Sequence, residues 1–546
     1  MKKRVLWLAI PFVVLIVSFA PPVDRYFEIA KNLEIFASVF KEVNSLYVDE
    51  VNPNQLMRTG IDAMLASLDP YTNYIPEDEV ENYRTINTGQ YGGIGAATMV
   101  FGNRTFISML YEGYPAQKNG LKIGDEVIKM DEVDLSKITI EEANRLMRGQ
   151  VGTPVKLTVR RIGVQEPITI EFHREKVKMS NVPYWGMVSP TVGYVQLSDF
   201  TPDAGNEVKD AVVALKEQGA KGIVVDLRGN PGGLLFEAVN VCNLFIPKGK
   251  LVVHTKGKLP DSNVAYETLN APVDLEIPVA VLINRGSASA SEIVAGTLQD
   301  YDRAVIIGEK SFGKGLVQVP RPLSYNSQVK ITTAKYYTPT GRCIQVLDYS
   351  HRRDDGSVGS IPDSLKQPFK TERGRTVYDG GGIDPDISVP ADELSAVAQV
   401  LLQTGMIFNY ATQYAYEHPT IAEPKVFTLT EHEYQQFVAW VKTKDYNYRL
   451  KAEKDLSELI AEAKREKYYE DLKPYLEEIR TKLAATRKND LDIFKDQVKR
   501  LLEEEIVSRY HLERGQAEAG FRYDQDISRA IKVLNSPTEY KKILNL

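Results

Sequence analysis

VVDLRGNPGGLL, Val224 to Leu235, is an apolar strand that runs into a loop with three glycines and then into a helix. Glycine tolerates unusual φ and carries no side chain, so such a loop lets backbone N–H groups approach a reacting atom. Gly232 and Gly233 are candidates for an oxyanion hole, with a tight strand-to-helix turn as the plain alternative. Around this stretch strands and helices alternate from Val188 to about Val389: strand Tyr194 to Leu197, helix Asp203 to Gln218, strand Gly222 to Leu227, helix Leu235 to Phe245, strand Val279 to Ile283, helix Ala288 to Tyr301. That alternation predicts α/β layers.

Two further segments carry chemistry. In VLINRGSASASEIVAGTLQD, Val281 to Asp300, a buried strand is again followed by small residues and an amphipathic helix. A serine where a helix begins lies near unpaired N–H groups and the positive end of the dipole, a setting that stabilises a developing oxyanion. Ser287, Ser289 and Ser291 compete for that place, and a simple N-cap is the bland reading. In GEKSFGKGLVQVP, Gly308 to Pro320, Lys314 stands between two glycines that let the chain pack closely around it. Lysine serves as a general base only where burial lowers its pKa towards the working pH. Lys310 competes without flanking glycines, and a solvated turn lysine is the alternative.

Other chemistries lack their residues. The six histidines, His173, His254, His351, His418, His432 and His511, lie outside glycine-rich strand ends, and His254 reads as part of a strand, which disfavours a Ser/His/Asp triad. No H-E-x-x-H or C-x-x-C spacing occurs, nor a phosphate loop or a G-x-S-x-G elbow. Cys242 and Cys343 are the only cysteines, neither a disulfide framework nor a zinc set, and read as separate buried residues. With 546 residues, 43% apolar content and a formal charge of −6, the chain holds several cores and no basic field for nucleic acid.

The ends differ from the middle. Three cations in Met1 to Arg4 and the apolar run Val5 to Ala20 read as an export signal. Pro21 after a Ser18/Ala20 cleavage site disfavours processing and favours retention as an anchor, although the run is short for a span of about 20 residues. Apolar spacing predicts helices over Tyr26 to Tyr47 and on to Leu68, ending at Asp69-Pro70. Gly89 to about Val177 is a β-rich module with strands at Thr105 to Leu110, Glu126 to Met130 and Val155 to Arg161. Beyond Ala391 a helical domain is expected, its stripe (Leu472, Leu476, Ile479, Leu483, then Leu491, Phe494, Val498, Leu501) packing internally and Glu503 to Glu505 forming a solvated face.

Together the three segments resemble the carboxy-terminal processing proteases, the PDZ-containing branch of the S41 serine peptidases. The resemblance rests on GYVQLSDF (Gly193 to Phe200), DLRGNPGG, SASASE, GEKSFGKGLVQ, TTAKYYTPTGRCIQ (Thr332 to Gln345) and GIDPD (Gly382 to Asp386), and upstream on MLASLDPYT (Met64 to Thr72) and YGGIG (Tyr91 to Gly95). It implies a multidomain α+β fold: an α/β layered protease core of the crotonase/ClpP type over 178–395, an inserted-type PDZ module over 89–177, a helical region over 23–88, a helical domain over 396–546, and a signal peptide or anchor over 1–22. It further implies Ser289 as nucleophile, Lys314 as general base, Gln318 as the residue orienting that lysine, and an oxyanion hole from Ala290 with Gly232 or Gly233. In the PDZ module the amides of Ile94, Gly95 and Ala96 match the carboxylate-binding loop, with a peptide's free C-terminus as ligand. Arg148, at a domain edge, is expected to reach the protease core when the module moves.

The function expected is therefore endopeptidase action on the C-terminal tails of exported, unfolded or tail-exposed proteins at the periplasm or cell envelope. No metal or cofactor is needed, and activity should rise into alkaline pH, because a protonated Lys314 cannot accept a proton. A silent PDZ scaffold would be expected to lose the serine or the lysine, and both are present. The helical regions offer surfaces for homo-oligomer formation or a regulatory partner.

Overall fold

The computed structural model describes residues 23–353, 357–444, 450–487 and 489–546. The export signal read at the N-terminus lies outside them, and among the described residues no helix is long and apolar enough to cross a membrane. The chain divides into two units: one extends to Glu77 and takes in Gln318–Thr332, and the other comprises Asp78–Val317 and Thr333–Leu546.

In the first unit, helices Val23–Leu46 and Pro53–Ala66 fall where the apolar spacing puts them. The second starts cleanly because the Asn52 side chain accepts the amides of Asn54 and Gln55, and Pro53 needs no partner for a missing N–H. The break at Asp69-Pro70 is an Asx turn in which Asp69 Oδ1 accepts the amides of Tyr71 and Thr72, both at 2.8 Å. Strand Asn73–Ile75 then pairs antiparallel with residues 328–330.

The second unit is built on four parallel strands in sequence order: β1 (Val192–Gln196), β2 (Gly222–Asp226), β3 (Val279–Ile283) and β4 (Ala304–Gly308). Parallel neighbours need long crossovers. Here α1 (Ala204–Glu217), α2 (Leu235–Cys242) and α3 (Ala290–Asp300) lie on the connections. Tyr184–Met187 adds an antiparallel edge strand beside β1, and Ile387–Ser388 a parallel one beside β4. The C-terminal region contributes α4 (Met406–Glu417), α5 (Lys495–Gly520), α6 (Gln525–Leu534) and α7 (Pro537–Leu544) among its helices.

Alternate residues of the apolar strands are buried on opposite faces. Ile223, Val225, Val281 and Ile306 pack with Val208, Val212, Val294 and Leu298 of α1 and α3. Val224, Ala280, Leu282 and Val305 pack with Ile527, Val533 and Tyr540 of α6 and α7. These two helices, with Ala517 and Phe521 from the preceding segment, thus cover this face of the sheet, and the Tyr540 hydroxyl accepts the Val279 amide at 3.1 Å.

The β-rich module is an antiparallel sheet with strand order Ala96–Phe101, Arg104–Leu110, Glu126–Met130, Pro154–Arg160, Ile168–His173, and a helix Ile140–Met147 closed by a Thr139/Glu142 capping box. Its core takes in one residue from far along the chain. Phe408 of α4 lies 5.7 Å from the Phe101 ring and 5.8 Å from that of Phe106, with the Arg509 guanidinium 4.4 Å above its own ring. Glycine permits the close approach: a Cβ on Gly124 would stand 2.4 Å from Thr412, and one on Gly163 2.1 Å from Tyr416. Where α5 meets this module, Leu512 (φ 53°, ψ −152°) breaks the helix in a conformation that costs a non-glycine residue about 1–3 kcal/mol.

Two expectations for the C-terminal region are corrected. Glu503 is fully buried, not on a solvated face: its carboxylate accepts from Thr428, the Leu429 amide, Arg522 and Tyr523 at 2.7–2.8 Å. A buried charge persists when every lone pair is answered, as here. Its neighbour Glu504 is pushed up to about 7 by burial, reinforced by the charges of Glu503, Asp524 and Glu505 against that of Arg500. The apolar stripe also does not pack throughout: on helix Tyr469–Arg487 Leu476 is buried while Leu472 and Ile479 stay exposed, because the helix packs chiefly against its hairpin neighbour Lys451–Arg465.

Candidate active site

Three loops at the C-terminal ends of β2, β3 and β4 converge. The first two are stitched directly. Asn284 Oδ1 accepts the amides of Gly229 and Gly286, both at 2.9 Å, and Asn230 O accepts the Ala288 amide at 3.0 Å.

The three competing serines fare differently. Ser287 and Ser291 are fully buried, and each hydroxyl is committed to a backbone carbonyl: Ser287 Oγ to Leu227 O at 2.8 Å, Ser291 Oγ to Asn230 O at 2.9 Å. Ser289 is partly exposed at the N-terminus of α3, with φ 55° and ψ −111°, a backbone conformation that serine adopts only under constraint. The constraint comes from below. The buried Tyr336 hydroxyl donates to Ser289 O at 3.2 Å, and the Ser289 amide donates to Glu292 at 2.8 Å.

Glu292, which the sequence reading passed over, is the centre of the site. It is fully buried, and its carboxylate accepts four hydrogen bonds. Ser311 Oγ and the Gly313 amide donate to Oε1 at 2.6 and 2.7 Å, and the Ser289 and Lys314 amides donate to Oε2 at 2.8 and 2.9 Å. Sharing one acceptor oxygen keeps the amide nitrogens of Ser289 and Lys314 within about 6 Å of each other. Burial raises the Glu292 carboxyl above its ordinary range, and the donated hydrogen bonds oppose that rise. The glycines flanking Lys314 do allow close packing. A Cβ on Gly313 would overlap Val346, and one on Gly315 would stand 2.9 Å from the Gln345 amide nitrogen. Exchanging Glu292→Gln would set an NH₂ group against N–H and O–H donors, leaving buried groups unanswered. We expect kcat/KM to fall about 10²-fold and the urea midpoint to drop with it; a variant that loses neither would show that the clamp is dispensable.

Opposite Ser289 lies the glycine loop. A Cβ on Gly232 would stand 2.7 Å from Ala288 O and 2.8 Å from both Ala290 N and Ser289 Cβ, so only glycine fits there. The Gly232 amide donates to Asn230 Oδ1 at 2.9 Å. The Gly233 amide meets no acceptor among the described residues, and Ala290, first residue of α3, carries an N–H that the helix leaves unpaired.

The other predicted residues have their own partners. Gln318 belongs to the first unit, where its amide nitrogen donates to Thr332 Oγ1 at 3.2 Å. Lys310 pairs with Asp384 at 2.9 Å. His254 stacks on Tyr337, 5.0 Å between ring centres, within paired strands. Ile94, Gly95 and Ala96 form the turn from Gln90–Gly93 into Ala96–Phe101, which is an edge strand of its sheet. Their turn is pinned by Ala116 N to Ile94 O (2.8 Å) and Tyr111 N to Gly95 O (3.0 Å). Arg148 donates to Asn82 at 2.8 Å and lies over the Tyr91 ring, at the start of this module. Cys242 and Cys343 are both free, the first fully buried.

Comparison with known proteins agrees with this layout. Residues 191–348 match peptidase family S41, residues 86–160 the PDZ domain, and residues 397–534 the C-terminal helical domain of probable PDZ-proteases. A carboxy-terminal-processing protease of Bartonella bacilliformis is 39% identical over 344 residues, 62% of this chain and 76% of that protein. A probable CtpA-like serine protease of Staphylococcus aureus is 36% identical over 316 residues, 57% of this chain and 62% of that protein. Among solved structures, the photosystem II D1 C-terminal processing protease aligns with 24% identity and a TM-score of 0.36, over 69% of this chain and 97% of that one.

Proposed function

Because the chain belongs to the S41 family of carboxy-terminal-processing serine proteases, we propose that Ser289 is its nucleophile and Lys314 its general base. One observation carries this reading: the backbones of the two residues are held to one buried carboxylate oxygen of Glu292, beside two amides without acceptors. Neutral Lys314 Nζ takes the proton from Ser289 Oγ as Oγ bonds to a peptide carbonyl carbon. The C–N bond then breaks, the leaving amine takes the proton back from Lys314, and water, activated by the same lysine, hydrolyses the acyl-enzyme. The developing oxyanion is held by the Ala290 amide with one from the glycine loop.

The PDZ module supplies substrate. We assign the amides of Ile94, Gly95 and Ala96 to a C-terminal carboxylate, with the tail pairing as a further strand on the open edge Ala96–Phe101. The layered core is read as crotonase/ClpP-like, with domain divisions at 1–22, 23–88, 89–177, 178–395 and 396–546. The protein acts outside the cytoplasm, tethered by its N-terminal segment, and its helical regions serve self-association or a regulatory partner. The test uses an unfolded substrate with a free or an amidated C-terminus, together with a serine-reactive fluorophosphonate mapped by mass spectrometry. Adduct on Ser289 and at least about tenfold slower cleavage of the amidated form are expected. Adduct on another serine would overturn the nucleophile, and equal rates would overturn delivery by the PDZ module.

A further inference from the structure

We propose that Asn230 is the positioning residue of the oxyanion hole, and that it selects the Gly233 amide over that of Gly232 as the partner of Ala290; this rests on Ser289 being the nucleophile. Asn230 is fully buried, and all of its hydrogen-bonding groups are engaged. Its amide donates to Leu227 O at 3.2 Å and Nδ2 donates to Leu197 O at 2.7 Å. Oδ1 accepts the Gly232 amide at 2.9 Å, and the carbonyl accepts both the Ala288 amide at 3.0 Å and Ser291 Oγ at 2.9 Å. The side chain thus faces a carbonyl on one side and an N–H on the other. The carboxamide meets them with a donor and an acceptor on two separate atoms of one planar group; aspartate would set an oxygen against Leu197 O.

This arrangement has a geometric consequence. Pro231 brings no N–H, and the Gly232 N–H is drawn onto Asn230, so the next amide of the loop, that of Gly233, is the first one available. Gly232 is buried and Gly233 exposed, which places the unengaged donor where a substrate can meet it. The same residue holds the other half of the site, because its carbonyl ties down Ala288 and Ser291, the residues on either side of the Ser289-Ala290 pair. Asn230 therefore sets the separation between the Gly233 and Ala290 donors without touching the substrate.

The experiment measures, on the full chain, kcat, KM and affinity for a peptide aldehyde whose adduct places its oxygen in the hole. Asn230→Ala should lower kcat about 10²-fold with KM within about threefold, and weaken the aldehyde in parallel with kcat/KM while leaving a product peptide's affinity unchanged. Retained kcat, or a fallen kcat with undiminished aldehyde affinity, would overturn the assignment. If Asn230→Ala does not fold, Ser291→Ala decides, since it removes only the hydroxyl bond to Asn230 O: a parallel loss of about tenfold supports the proposal, and no loss overturns it. A Ser289→Ala reference separates the two readings. Turnover surviving there refutes the nucleophile, whereas a dead reference beside a fully active Asn230→Ala refutes only the role of Asn230.

Discussion

Ser289→Ala and Lys314→Ala should each lower kcat/KM by at least about 10³-fold while leaving the unfolding midpoint near that of the parent. Both residues meet Glu292 through backbone amides, which alanine retains, so the buried clamp survives either substitution. Only the hydroxyl or the ammonium-bearing side chain is lost, so activity and stability separate, in contrast to Glu292→Gln. The double variant should be no worse than either single one, since a nucleophile without its base and a base without its nucleophile are equally idle. Lys314→Arg should be as inactive as alanine, because a guanidinium stays protonated at any working pH. In the parent enzyme the rate should climb with pH as the neutral amine becomes populated. A rate that falls above neutrality while circular dichroism stays native would remove Lys314 from the role of base.

Ending the chain before Gln525 should abolish folding of the protease core, although every residue named in the chemistry remains. The truncation deletes α6 and α7, whose Ile527, Val533, Leu534, Tyr540 and Leu544 are all less than a tenth exposed. It strips these side chains from the sheet face formed by Tyr194, Val224, Ala280, Leu282, Val305 and Ile307, leaving Ala517 and Phe521 against it. At about 1.5–3 kcal/mol for each large apolar side chain, the loss rivals the ~5–15 kcal/mol that holds a typical domain together. The Arg228 guanidinium also loses Asp526, although Asp226 and Asp524 stay within 2.7 Å. Soluble yield and near-ultraviolet circular dichroism measure the outcome; a cooperative transition at the parent's midpoint would mean that the C-terminal helices are accessory.

That the C-terminal helices complete the protease core was not legible in their sequence, and the reason is physical. An amphipathic stripe at helical spacing says that a face will be buried but not against what. The same limit explains Glu503. Three acidic residues in a row read as solvated, and only the tertiary arrival of Thr428, Arg522 and Tyr523 makes a buried carboxylate tolerable. Glu292 was visible within SASASE, yet its four donors come from two segments more than 15 residues apart. A side chain's partners across that distance have no local signature. Phe408 likewise belongs to the core of a module more than 200 residues upstream.

VVDLRGNPGGLL and its neighbours determined a good deal by themselves. Strand β3 appears where the apolar run placed it, and β1, β2 and helices α1 to α3 lie within a few residues of their predicted bounds, because period, glycine and polarity act locally. The same segments named the candidate residues, although composition alone left three serines and two lysines in contention. Tertiary structure decided how those serines differ: Ser287 and Ser291 are consumed by carbonyls of the neighbouring loop, and Ser289 is left partly exposed in a constrained conformation. It also decided which glycine amide is engaged and which is not, since that depends on where Asn230 points. Hydrogen-bond satisfaction across loops is a property of packed chains, and no spacing within one loop encodes it.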